Sequence, residues 1–189
     1  MKKGLVFCCI LLLASCIDVD DYGDYWGKTI VDPALAGHWA KMSEDEDGKT
    51  TGQEYTFIVK NGAYEVQSYK DGQADSDGPM YPVKTLNVGR YRFLASGPQT
   101  GKIIRYEIAN DTAAWYVLNP KSAWAFIRKN YPDQQGFYRG DPDNPDASNI
   151  PADEPVSIKL FDDEVFAILS AIPDNEIYWD PDTQLKKIP

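Results

Sequence analysis

Histidine is nearly absent from this chain. His38 is the only one in 189 residues. A Ser-His-Asp relay would have to use it, and no Gly-x-Ser-x-Gly elbow accompanies it. Cysteine is almost as scarce. Cys8 and Cys9 fall in an apolar amino-terminal run, which leaves Cys16 alone in the rest of the chain. Outside that run, one histidine and one thiol exclude a zinc site built from His and Cys within one chain, and no disulfide framework is available there. Positive charge is the third shortage: 19 Lys and Arg stand against 29 Asp and Glu, a net charge of −10. That balance opposes non-specific binding to nucleic acid or to anionic lipid, and would suit a basic partner. Long apolar runs are also missing. Gly4 to Leu13 is unbroken but spans only about 15 Å as a helix, roughly half a bilayer core. We find no internal repeat.

What is present begins at the amino terminus. Lys2 and Lys3 precede the apolar run, and Leu13-Ala14-Ser15-Cys16 closes it with small residues before a cysteine. Charge, apolar run and small-residue site are the layout of an export signal. The last four residues resemble the lipobox of bacterial lipoproteins position by position: an aliphatic residue, two small ones, then the cysteine that receives a diacylglyceryl group. The resemblance implies removal of residues 1–15 and acylation at Cys16. Several acyl chains, at about 0.8 kcal/mol per buried CH₂, anchor far better than one. Cleavage would leave 174 residues and, with two lysines gone, move the net charge from −10 to −12. In proteobacteria an aspartate after the lipidated cysteine retains such proteins in the inner membrane. Ile17 stands there, which points to the outer membrane, facing the periplasm.

Residues 16–31 read as an acidic tether carrying Asp18, Asp20, Asp21 and Asp24. Its Tyr22, Tyr25 and Trp26 are either free or docked on the domain. Residues 32–189 read as a single domain, long enough for a real core, with 43% hydrophobic and 13% aromatic residues. Strand patterns cover 37–42, 55–60, 63–69, 83–88, 90–95, 102–108, 113–118 and 156–160, with a short last strand at 176–179. Asn61-Gly62 between two alternating runs is a hairpin signal, because a type I′ turn needs positive φ at both central positions. Further turns fall at Gly89 and Asn110-Asp111. A helix over 120–131 starts on Asn119-Pro120 and stops before Pro132. A second, over 162–172, has Asp162 to Glu164 at its positive end and Pro173 after it. The fold class is therefore mainly β or α+β: an antiparallel curved sheet or small barrel with two helices.

Four patterns invite a functional reading. Ser43 to Glu54 puts Asp45, Asp47, Gly48 and Glu54 at calcium-loop spacing, but Ser43 stands where a carboxylate belongs and no helix flanks it. It reads as an acidic hairpin loop. Asp141, Asp143 and Asp146 lie in a long loop over 133–155, where Pro145 takes a ligand position. Arg139-Gly140-Asp141 spells a cell-attachment tripeptide, a match short enough to arise by chance. Lys84, Arg90, Arg92, Lys102 and Arg105 concentrate positive charge and could receive an anion or form the wet face of a sheet. Two carboxylates could cleave sugars, but spacing singles out no pair.

Gly37-His38-Trp39 resembles the Gly-x-Trp of lipocalins, where the tryptophan closes the barrel floor. No Thr-Asp-Tyr follows, and the helix over 120–131 interrupts the strands. The resemblance implies a small barrel able to hold an apolar ligand. The expected function is that of a lipid-anchored, non-catalytic binding or interaction protein of the bacterial envelope, without cofactor or metal. Its partner would be a small apolar ligand or a protein. The alternatives are an inhibitor or assembly factor acting on a basic partner, and a carbohydrate-active enzyme.

Overall fold

The computed structural model of the chain describes residues 17–41, 52–70, 72–74, 82–98, 100–140, 151 and 154–189. Cys16 and everything before it, most of the loop from Ser43, and Asp141, Asp143 and Asp146 lie outside them. The strands are β1 Ile17–Val19, β2 Gly37–Lys41, β3 Gln53–Lys60, β4 Ala63–Lys70, β5 Gln73–Ala74, β6 Val83–Val88, β7 Tyr91–Ser96, β8 Gly101–Ala109, β9 Thr112–Leu118, β10 Phe137–Arg139, β11 Val156–Ile158 and β12 Trp179–Ile188. The α-helices are α1 Pro120–Asn130 and α2 Asp163–Ala171, with 3-10 turns at Gly23–Lys28 and Pro33–Leu35.

Local chemistry sets most of these boundaries. Asn61 and Gly62 have φ of 53° and 75°, and the β3–β4 hairpin closes on them with Lys60 opposite Ala63. Gly89 has φ of 58° between β6 and β7, and a Cβ there would lie 2.8 Å from the Ser170 hydroxyl. Asn119 caps α1 by accepting from the Ser122 N–H at 3.0 Å. Asp162 caps α2 by accepting from the Val165 N–H at 2.9 Å.

Eight strands close into a barrel in the order β2-β3-β4-β6-β7-β8-β9-β12, with β12 returning to β2. Strand alternation gives the wall two buried faces. Inside lie Trp39, Phe57, Tyr64, Leu94, Ile104, Tyr106, Trp115 and Leu185. An eight-stranded barrel is just wide enough for side chains to fill, and these are large ones. Outside, Val88, Phe93, Ile103 and Trp179 pack under Ile127 of α1 and Ile168 of α2. The last strand departs from expectation. It begins where a short strand was expected to end and runs ten residues, because it must pair with β9 on one side and β2 on the other.

The outer edge of β8 is shared. Residues 105–109 pair with β9, and residues 101–103 pair with β1. Parallel β11 and then antiparallel β10 extend the sheet beyond β1. The segment expected as a tether outside the domain is thus part of it from Ile17 onward. Ile17 and Val19 are buried on either side of Asp18, in the alternation of a half-buried strand. Tyr22 is buried and donates to the Lys102 carbonyl at 3.0 Å, and Tyr25 and Trp26 pack on the outer core. Four aspartates mask this short apolar pattern in the sequence.

The turn Pro33–Leu35 plugs one end of the barrel with Leu35, whose carbonyl accepts from Trp39 Nε1–H at 2.8 Å. Asp32 fixes the plug. One carboxylate oxygen accepts from the Ala34 N–H at 3.0 Å, the other from Tyr106 Oη at 2.9 Å and Arg92 Nη1 at 3.0 Å. Its backbone carbonyl accepts from the Tyr64 hydroxyl. Burial, then the Asp32 charge, pushes the Tyr64 phenol up to about 12, and the same two causes raise Tyr106 further. A phenol whose folded pKa exceeds its unfolded value contributes stability that is complete below about pH 10 and is lost as pH rises through the folded value. Phenolate absorbance should therefore lag free tyrosine between pH 10 and 12, and stability should fall across that window. A titration in which all tyrosines ionise together near pH 10 in the folded protein would contradict the geometry.

Candidate functional site

The structure disperses the positive cluster expected from the sequence. Arg90 donates to the Ile172 carbonyl at 3.1 Å, at the end of α2. Arg92 pairs with Asp32 at the barrel plug, and Lys102 pairs with Asp18 at 2.6 Å. Lys84 lies 5.2 Å from the Trp26 ring centre. These cations hold elements together rather than forming one anion site, because each neighbouring element supplies a carboxylate, a carbonyl or a ring. Arg139 of the tripeptide is 7% exposed and donates to the Glu154 and Pro151 carbonyls. A guanidinium spent on its own loop is not presented to a receptor. His38 Nε2 stands 2.9 Å from Glu54 on the neighbouring strand, so the one described carboxylate of the acidic loop pattern faces the histidine. Among the described residues no three His, Cys, Asp or Glu side chains gather as a metal site.

Arg105 is where the wall gathers chemistry. Strand alternation puts it on the outer face of β8, opposite Tyr116 of β9 and Phe93 of β7, with Tyr91 two residues along β7 on the same face. Its side chain is only 3% exposed. The guanidinium sits 4.5 Å from the Tyr91 ring centre, 4.6 Å from Tyr116 and 5.1 Å from Trp179 at the start of β12. Such stacking contributes up to about 2 kcal/mol per pair when desolvated. Nη2 donates to Glu107 and lies 2.7 Å from Asp174 Oδ1, so one nitrogen gathers two carboxylates. Pro173 ends α2 and turns the chain so that Asp174 reaches the sheet. Tyr91 Oη fixes that end by donating to the Ile172 carbonyl at 2.5 Å.

The carboxylates face outward. Glu107 is 49% and Asp174 46% exposed. Tyr116 Oη donates to the second Glu107 oxygen at 3.2 Å, and its phenol is pushed up by burial and by that carboxylate. Arg105 Nε and Nη1 and Trp179 Nε1 are buried and meet no acceptor among the described residues. The arrangement is a rigid aromatic cradle with a buried cation at its base and two acidic groups at its mouth, net negative by one charge. It can recognise a cation or a hydrogen-bond donor with little loss of side-chain freedom. The sequence showed Arg105 only as one of five cations and gave no signal for Asp174. Their meeting depends on barrel closure.

A second polar place lies around β1, where Asp18, Lys102, Tyr138 and Ser157 line an open groove. Among the described residues no helix is long and apolar enough to cross a membrane. Compared with protein-family models, curated proteins and solved structures, the chain finds no match.

Proposed function

We propose that the chain is a lipid-anchored, non-catalytic interaction protein of the bacterial cell envelope, held through Cys16 and meeting a basic protein partner on the outer wall of its barrel. The anchor rests on the resemblance of Leu13-Ala14-Ser15-Cys16 to a lipobox, and Ile17 favours the outer membrane. The observation that carries the interaction reading is the cradle: Glu107 and Asp174 are preorganised on a buried arginine, and half of each stays open to solvent. Fixed charges lose less freedom on binding than floppy ones. The filled barrel interior also favours an outer-surface function over a cavity.

A complex held by these carboxylates weakens steeply with salt. The Glu107→Gln/Asp174→Asn double variant should bind the partner about tenfold or more weakly than wild type at low ionic strength, and the wild-type complex should fade at high salt. Recovery of one partner in equal amounts by both proteins, at either salt concentration, would overturn the reading. A lipocalin-like carrier of a small apolar ligand is the second reading. The closed barrel with Trp39 on its first strand favours it, although a ligand would have to displace packed aromatic side chains.

A further inference from the structure

Register places one residue from each of four strands in a single row. Tyr138 of β10 lies opposite Ser157 of β11, Ser157 opposite Asp18 of β1, and Asp18 opposite Lys102 of β8. Period-two alternation sends their neighbours Phe137, Ile158, Ile17, Val19 and Ile103 to the other face, where they join the outer core under α1 and α2. The row therefore continues, beyond the barrel, the face of β8 that carries Ile104 and Tyr106 inside it, and here Asp18 and Lys102 are partly open to solvent while Ser157 is buried between them and Tyr138. Lys102 Nζ lies 2.6 Å from Asp18, and the Tyr138 hydroxyl donates to Asp20 at 2.9 Å. With Thr100, these groups line an open groove of about 390 Å³.

This groove lies at the start of the described residues. Ile17 is bonded directly to Cys16, and its backbone is already paired with Ile103. Consecutive Cα atoms are 3.80 Å apart, so Asp18 lies within about 7 Å of Cys16 along the chain. The interfacial layer on each side of a bilayer core is about 5–8 Å thick. An acyl anchor at Cys16 leaves no spacer between the lipid and this strand. We infer that the groove formed by Asp18, Asp20, Thr100, Lys102, Tyr138 and Ser157 is the membrane-contacting face of the protein, seated on zwitterionic phospholipid headgroups. The inference rests on the Cys16 anchor proposed above. Charge selects the occupant. Two carboxylates and one ammonium complement a headgroup that carries both an amine and a phosphate, and they disfavour a purely anionic one.

The test uses the mature acylated protein, beginning at Cys16, in vesicles of phosphatidylethanolamine and phosphatidylcholine that contain a headgroup-nitroxide lipid. Cleavage and acylation would leave no other free thiol, so an introduced cysteine can carry a fluorophore alone. Thr100→Cys labels the groove. Ala125→Cys labels the exposed side of α1, whose buried residues Ala123 and Ile127 pack on the opposite face of the same sheet. Quenching should be several-fold stronger at Thr100→Cys than at Ala125→Cys. Asp20→Cys repeats the measurement from the same groove if Thr100→Cys fails to fold. Fatty-acid labelling of wild type and Cys16→Ala runs in parallel. If label depends on Cys16 but quenching is equal at the two sites, the membrane-facing assignment is wrong and the anchor stands. If both proteins take up equal label, the anchor is wrong and the inference falls with it.

Discussion

Trp39→Ala should lower the unfolding free energy by about 3–5 kcal/mol, the range for truncating a fully buried tryptophan. At 2–4 °C per kcal/mol for a domain of this size, the melting temperature should fall on the order of 10 °C. The ring lies wholly inside the barrel. Its Nε1–H donates to the Leu35 carbonyl, so truncation also frees an acceptor inside the plug. Lys187, opposite Trp39 on β12, sets its ammonium 5.2 Å from the ring centre and loses that contact as well. Closure makes collapse into the hole difficult, since β2 is tied on both sides, to β3 and to β12. Ile58→Ala, at an exposed position of β3, should cost well under 1 kcal/mol and serves as the control. Denaturant melts of the three proteins decide the matter, and equal losses for the two variants would mean that the barrel is not packed as described.

The same variant separates the two readings of function. An apolar hole left by truncation binds small apolar molecules. If the barrel of the native protein is filled by its own side chains, such molecules should be retained in native mass spectra of Trp39→Ala and not of wild type. Equal retention by wild type would favour the carrier over the surface-binding reading.

Much of the fold was legible because the signals were local. Asn61-Gly62, Asn119-Pro120 and the prolines after each helix act within a few residues, and the structure places turns and helix ends there. The sequence leaves a barrel and an open sheet as alternatives, since closure depends on β12 joining β9 to β2 and no local pattern encodes a partner that far away. The length of the last strand is hidden for the same reason. Pro181, Asp182 and Lys186 weaken its pattern, and the register shift between Pro181 and Thr183 accommodates the proline. The pairing of Ile17–Val19 is hard to see in the sequence because aspartate content outweighs the alternation of Ile17 and Val19. Among site residues, Arg105 was visible only as a charge. Its burial beneath three rings, and the approach of Asp174 from the far end of α2, are tertiary facts.

Asp32→Ala should cost about 2–4 kcal/mol, an effect of several parts. Loss of the cap on the Ala34 N–H accounts for about 1 kcal/mol. The Tyr106 hydroxyl then has no carboxylate to donate to, a cost of about 1–3 kcal/mol inside a barrel end. The Arg92 partner adds little, because that side chain is 37% exposed and water replaces the pair. Asp32→Asn keeps an oxygen for the cap and should recover about half of the loss or more. A double-mutant cycle isolates the phenol. In a Tyr106→Phe background no hydroxyl is left stranded, so Asp32→Ala should cost about 1 kcal/mol less than in wild type. Additive costs would show that Asp32 caps the turn without serving Tyr106. Coupling would show that the turn Pro33–Leu35 is latched to the barrel wall through this carboxylate, so that closing the barrel and seating its plug are one folding event.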